Sequence, residues 1–412
     1  MDKLSQLFES RRKDFPSLAR TYNGHTLAYL DGPGGTQVPQ AVIDAVTDYF
    51  TNCNANAQGY FVTSIESDEL IAEARETVAA FLGTENGDTI SFGQNMTTLN
   101  YALSRALEES LHPGDEVLIT QLDHEANRGP WLRLRERGVV VREVKLLPNG
   151  TLDMDDFRKK ITENTRLVAM GFSSNALGTV NDVSTVRRWT YKVGAYLLVD
   201  AVHFVPHFPI DVKSLGVDFL LCSAYKFYGP HVGILYAKEG LLEQLDCERV
   251  CTQDHSAPYR IETGTLNHEG IAGVKATVEY ISTYGEGDTL REKIVSAMER
   301  ISSYEHELAL YAYKCLGDIP GVTIYGPSFD EKHRAPTISF TFEGLNPIEV
   351  CKSLNEEGIL AWDGHFYAIR PIEILGLLEQ GGVTRIGISL YNTKEEIDRL
   401  ITTLRKLSSR RS

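Results

Sequence analysis

The sequence predicts an α/β protein of two domains, a large one built on a mostly parallel sheet and a smaller C-terminal α+β one. Three observations carry this reading. Between residues 89 and 240, short apolar runs alternate with helical stretches. Several runs, such as YLLV at 196–199, lack polar alternation, as strands covered on both faces do. The length of 412 residues also exceeds what one hydrophobic core ordinarily serves.

The elements follow in order. TISF (89–92) is the first strand, and in the MTTLNYALSRAL that follows, Leu99, Ala102, Leu103, Ala106 and Leu107 share one helical face. EVLITQL (116–122), VVVREVKL (139–146), RLVAMGFSS (166–174), YLLVDAVH (196–203), DFLLCSAYKF (218–227) and VGILYAK (232–238) continue the series. From Thr289 to about Leu316 the chain has no Pro or Gly and reads as one long helix, ended by Gly317, Pro320 and Gly321. APTISFTF (335–342) and VTRIGISLYN (383–392) are strands of the second domain. Asn346 caps a helix with Pro347 at its first position, and Thr393 with Glu396 forms a capping box for the last helix. The expected segments are 1–25, packing on the small domain, 26–288, the large ligand-binding domain, and 289–412, a linking helix with the small domain.

Composition narrows the function. With 42% hydrophobic and 24% charged residues the chain is ordinary globular material. A formal net charge of −15 repels phosphate backbones and anionic lipid, which argues against nucleic-acid or membrane-surface binding. Cys53, Cys222, Cys247, Cys251, Cys315 and Cys351 show no CxxC spacing, so neither a metal site nor a disulfide framework is expected. The N-terminus MDKLSQLFESRRKDF lacks the apolar core of a signal peptide, and no run approaches a transmembrane length. A soluble, cytoplasmic protein is expected.

Open α/β sheets bind ligands at the carboxyl ends of their strands. Four such ends carry unusual residues. SFGQNMTTL places backbone N–H groups at a helix start, where they can hold a phosphate or simply begin a helix. His124 in DHEAN is a ligand-facing residue or a solvated loop residue. Asp200, behind an apolar run, needs a partner, which a helix N-terminus or a ligand could supply. Lys226 stands among Tyr225, Phe227 and Tyr228. Either it snorkels to water, or desolvation lowers its pKa and leaves an amine able to attack a carbonyl. Together, a phosphate cradle, a ring neighbour, a carboxylate for a pyridine nitrogen and a Schiff-base lysine are the parts pyridoxal 5'-phosphate needs.

The motifs that carry these residues resemble the class V aminotransferases of fold type I, in their cysteine desulfurase-like branch, from DGPGGTQVP (31–39) to YNTKEEIDRL (391–400). DAVH, SAYKFYGPHVGILY, DHEAN followed by PW, SSNALGTVND and ETGTLNHEG carry the likeness. The resemblance implies a fold type I PLP-dependent transferase with Lys226, His124 and Asp200 as catalytic residues. Lys226 forms the Schiff base and moves the Cα proton, Asp200 keeps the pyridine nitrogen protonated, and His124 stacks over the ring. His203 and Asn175 meet the phenolate oxygen, while Ser223, Asn95, Met96, Thr97 and Tyr225 hold the phosphate. His268 is expected to arrive from the partner of a homodimer whose site lies at the subunit interface. Arg385 in TRIGISLYN matches the fork that clamps an amino-acid substrate's α-carboxylate, though on its residues alone a surface ion pair fits as well. GPGGTQ is expected to lie over the substrate.

One motif departs from the family. Where cysteine desulfurases carry arginine, x, glycine, histidine, x, cysteine, this chain reads WDGHFY, residues 362–367. Gly364 and His365 remain, but Trp362 and Tyr367 replace the arginine and the cysteine. Cys351, the nearest cysteine in sequence, reads as a packing residue. Trp362, Asp363, His365 and Tyr367 are therefore expected to shape the substrate site or supply acids to it. The expected activity is a lyase acting on a cysteine- or serine-like amino acid by β-elimination without a persulfide cysteine. An aminotransferase, an amino-acid epimerase and a cofactor-binding regulatory or partner subunit remain as alternatives.

Overall fold

In the computed structural model, which describes residues 3–329 and 334–409, seven strands build the central sheet. They are β1 (Ile90–Gly93), β2 (Glu116–Thr120), β3 (Val140–Val144), β4 (Thr165–Gly171), β5 (Tyr196–Asp200), β6 (Phe219–Ser223) and β7 (Gly233–Ala237). Across the sheet they run β1-β7-β6-β5-β4-β2-β3. All neighbours from β3 to β6 are parallel, and β7 is antiparallel to both β6 and β1. Every residue of β2, β6 and β7 is buried, which explains the missing polar alternation in their sequences. Helix Met96–Glu108 follows β1 and buries Leu99, Leu103, Ala106 and Leu107, with Ala102 half-buried on the same face.

The second sheet is antiparallel and four-stranded: β8 (Val322–Tyr325), β9 (Thr337–Phe342), β10 (Trp362–Gly364) and β11 (Val383–Gly387), ordered β8-β9-β11-β10. The 28-residue helix Leu290–Gly317 leads into it, opened by a capping box between Thr289 and Glu292. Asn346 and Glu349 form another box, with Pro347 at the first position as the sequence requires. Thr393 and Glu396 exchange hydrogen bonds at the start of helix Lys394–Ser409. The stretch WDGHFY, read as a loop, begins instead as edge strand β10, because Trp362, Asp363 and Gly364 pair with Arg385, Thr384 and Val383.

The N-terminal segment ties the two sheets together. Phe8 stacks on Tyr304 and Tyr284 at 4.4 and 5.0 Å, and Arg12 pairs with Glu396 at 2.8 Å. Ala28–Tyr29 adds a parallel strand beside Ile359–Leu360, and Asp31 bridges to Gly387. Contact with the small domain therefore runs past the expected limit at residue 25, as far as Asp31. The outermost residues of the expected segments, 1–2 and 410–412, lie outside the described residues. Among the described residues no helix is long and apolar enough to cross a membrane.

One buried ion pair fixes the edge nearest the site. Both Arg75 nitrogens NH1 and NH2 donate to Glu262 at 2.7 Å, and Glu262 also accepts from Phe92 N–H at 2.6 Å. Residue 262 is thereby fastened to β1 just before the exposed stretch 263–265. Replacing Arg75 with Ala leaves the buried Glu262 carboxylate without its cation. The expected loss is about 3–5 kcal/mol of stability, read from the midpoint and slope of urea unfolding.

Candidate active site

The carboxyl ends of β2, β4, β5 and β6 open into one cavity of about 250 Å3. Asn95, Met96, Thr97, His124, Asn175, Asp200, His203, Ser223, Tyr225 and Lys226 all line it, although they come from widely separated stretches of chain. At one end, the first N–H of helix Met96–Glu108, that of Met96, donates to Ser223 Oγ at 2.9 Å. This approach depends on a missing side chain: a Cβ at Gly233 would fall 2.4 Å from the Asn95 carbonyl carbon. Helix N–H groups and a serine hydroxyl thus converge, an arrangement suited to a phosphate.

Lys226 follows β6 in a short turn, and Tyr228 closes that turn at φ +74°. Among the described residues no carboxylate contacts Lys226 Nζ. Nζ donates to the carbonyls of Pro33 and Gly34 at 2.5 and 3.0 Å and lies 5.0 Å from the centre of the Tyr225 ring. Burial, with help from Arg385, pulls its pKa down to about 7, against the opposing pull of Asp31 and Asp200. The sequence reading of a lysine with a lowered pKa matches this geometry. The GPGGTQ turn lies directly against Lys226, since those two carbonyls belong to it.

Asp200 ends β5, and its carboxylate Oδ1 accepts from Val202 N–H at 3.0 Å. Burial lifts its pKa to about 7, and the nearby Asp123 adds to the rise. Asp123 is a cavity residue that the sequence reading passed over. Burial lifts it to about 6, against the N–H groups of Gly171 and Thr120. Two buried carboxyls facing one cavity favour a cationic N–H in it, as a protonated pyridine nitrogen supplies. With the phosphate cradle and a lysine whose charged form burial disfavours, these residues fit pyridoxal phosphate.

The flanking groups are aromatic or amide. Burial, then Lys226 and Arg385, lowers His124 to about 4, and its Nδ1 accepts from Ala126 N–H at 3.0 Å. His124 is therefore a neutral ring. Tyr225 stacks on His231 with centroids 4.6 Å apart and planes 12° from parallel. His231 also lines the cavity. Its only sequence signal was its place in YGPHVG, directly after the lysine motif. Asn175 donates Nδ2 to Phe366 O at 3.0 Å, so part of its amide already serves the small domain.

The substrate residues lie differently from the cofactor residues. Arg385 is buried behind the cavity wall. NH2 donates to Asp31 at 2.7 Å, NH1 to Asn175 O at 3.2 Å, and the Phe366 ring covers the guanidinium at 4.0 Å. Among the described residues its Nε has no hydrogen-bond partner. The Phe366 ring sits in a strap, residues 365–367, tied down by Glu125 N–H to Tyr367 O at 2.8 Å and by Arg370 to Glu143 at 3.1 Å. Phe366 and Tyr367 hold φ +54° and +57°, a left-handed geometry costing roughly 1–2 kcal/mol each. Tyr367 is exposed, with its ring 5.8 Å from that of His124, and Trp362 is exposed beside Arg385 on the sheet.

His268 needs a correction. It is buried in its own subunit, where Nδ1 lies 3.2 Å from both Tyr49 OH and Ala55 O. Asn267 caps its helix, and that turns the ring inward. Thr263, Gly264, Thr265 and Asn267 are the exposed residues of that loop, not His268.

The lowered lysine pKa has a measurable sign. Below about pH 7 Lys226 is the unreactive ammonium, and above it the neutral amine. Acylation of Lys226 in the cofactor-free protein, followed by mass spectrometry, should rise through about pH 7. Ordinary lysines should respond only near pH 10. A midpoint for Lys226 in that higher range would contradict the burial argument.

The family described as Aminotransferase class-V matches residues 28–400. A cysteine desulfurase of Serratia proteamaculans (strain 568) is 34% identical, covering 97% of this chain and 98% of its own. The apo structure of a cysteine desulfurase from Thermococcus onnurineus NA1 superposes with a TM-score of 0.87 at 27% identity, covering 97% of this chain and 98% of that one. C-DES, with glycine covalently linked to its PLP cofactor, shares the fold at a TM-score of 0.80 and 20% identity, covering 96% of this chain and 98% of that one. The chain belongs to the class-V aminotransferase family and is a cysteine desulfurase-like enzyme that depends on pyridoxal phosphate.

Proposed function

We propose that this enzyme is a lyase that removes the β-substituent of a cysteine- or serine-like amino acid, with the cofactor attached to Lys226 and without a persulfide cysteine. One observation supports the last point most directly: Tyr367 occupies the strap, and no cysteine lines the cavity. Cys351 is buried nearby, and burial pushes its thiol up to about 12, far from a thiolate at neutral pH.

When bound, the cofactor supplies the electron sink that stabilises negative charge at the substrate's Cα. The remaining work falls to the chain. Asp200 would hold the proton on the ring nitrogen, and His124 would cover the ring as a neutral imidazole. Ser223 and the N–H groups of Met96 and Thr97 would hold the phosphate, beside Asn95 and Tyr225. His203 and Asn175 would serve the phenolic oxygen. Arg385 would take the α-carboxylate, and Lys226 would move the Cα proton. Tyr367, whose ring lies 5.8 Å from that of His124, is a candidate acid for a departing group, with Asp363 and His365 from the same stretch as the others.

A homodimer fits the surface. Phe50, Tyr60, Phe61, Val62 and Ile65 are exposed apolar residues in one stretch. That stretch is tied to His268 through Tyr49 and Ala55. Six free thiols suit the reducing cytoplasm. Sedimentation at micromolar concentration should give twice the 45.9 kDa chain mass, and the monomer mass alone would refute the dimer.

An amino-acid panel without keto acid tests the reaction. The loaded protein should be yellow, borohydride should fix the cofactor to Lys226, and pyruvate should be released continuously from a cysteine- or serine-like substrate. One stoichiometric turnover restored by a keto acid would instead mean transamination. Loss of optical purity without product would mean epimerisation. Retained colour with no response to any amino acid would mean a binding subunit.

A further inference from the structure

His203 is a cavity residue whose hydrogen-bonding sense its own position leaves open. A neutral imidazole carries one N–H, and what one nitrogen touches decides which nitrogen holds it. Nε2 lies 2.9 Å from the Thr337 hydroxyl. Nδ1 has no hydrogen-bond partner among the described residues, and the ring lines the cavity. Thr337 is fully buried and begins β9, so this contact crosses from the large domain to the small one.

The other side of the ring is equally confined. His207 packs against it edge-on, with centroids 5.3 Å apart at 78°. Glu305 anchors His207 through Nδ1 and Oε2 at 2.7 Å, and Tyr228 OH donates to Glu305 at 3.3 Å. Burial first, then the neighbouring His207, Lys226 and Arg385, keeps His203 well below the usual imidazole pKa. The ring is neutral and has a single proton to place.

We propose that Thr337 is a positioning residue for His203: its hydroxyl donates to Nε2, which leaves the one N–H on Nδ1 as the donor toward the cofactor's phenolic oxygen. This inference rests on the reading above that His203 faces that oxygen. A phenolate only accepts, so only the Nδ1–H form serves it. A hydroxyl rotates to donate or accept, so Thr337 can supply the hydrogen that Nε2 then needs. Because Thr337 sits on β9, the position of the small domain reaches the cofactor's phenolic oxygen through one hydrogen bond.

The test uses the full-length, cofactor-loaded protein and Thr337→Val, Thr337→Ser and His203→Ala variants. The readouts are the visible absorption band and the cofactor dissociation constant. Thr337→Val keeps the shape and removes the hydroxyl. It should shift the band and weaken cofactor binding about tenfold, the worth of one hydrogen bond to a charged oxygen. Thr337→Ser should restore both, and if the valine protein does not fold, Thr337→Ala carries the same expectation. If the hydroxyl-free variant matches the parent while His203→Ala changes both readouts, the role of Thr337 falls and that of His203 stands. If His203→Ala changes neither, the reading of His203 falls and the inference with it. A serine variant as perturbed as the hydroxyl-free one would mean that shape matters rather than the hydroxyl, and would also overturn it.

Discussion

Lys226 is held by two backbone carbonyls, of Pro33 and Gly34, rather than by a carboxylate, and the site is arranged around that choice of partners. Carbonyls satisfy an amine's hydrogens without stabilising its charge as strongly as a carboxylate would, so burial can win and leave the nitrogen nucleophilic near neutrality. The carboxylate nearest this turn, Asp31, is directed elsewhere. It pairs with Arg385 at 2.7 Å, and its second oxygen is tucked so close to Gly34 that a Cβ there would fall 2.1 Å from it. One glycine-rich turn therefore separates the two cations, neutralising Arg385 and leaving Lys226 without a contacting counter-ion.

The cavity is equally a product of two domains meeting. His203 reaches Thr337, Asn175 reaches Phe366, and Glu125 and Glu143 hold the strap and the helix that follows it. Each of these bonds crosses between the sheets at the rim or wall of the site. The cofactor cradle belongs to the rigid sheet, whose strand ends are set by buried backbone pairing. The substrate end belongs to a short strap with two residues in left-handed backbone geometry, stored strain of a kind found where a segment must move.

The cofactor side of the site was legible in sequence because its residues sit at strand ends, where apolar runs announce their own limits. Asp200 and Lys226 are cases of this, since a charged group directly behind a fully buried run has few places to point. Asp123 and His231 escaped notice. Their roles come from contacts across the cavity, Asp123 with Gly171 and His231 with the Tyr225 ring, and no periodicity marks such a contact. His268 misled because a motif names a loop, whereas the direction of a side chain depends on how the helix after it is capped.

What the sequence alone determined is the order of strands and helices, the caps that bound them, and the set of chemically able residues at the strand ends. Local hydrophobic patterning and capping chemistry suffice for that, since each acts within a few residues. Only the tertiary structure decided which charges neutralise each other. Asp31 and Arg385 are 354 residues apart in the chain, and Arg385 is sealed beneath Phe366 rather than open to the cavity. Desolvation and pairing are properties of the packed interior, so the lowered pKa of Lys226 and the covered Arg385 exist only once the two domains close on one another.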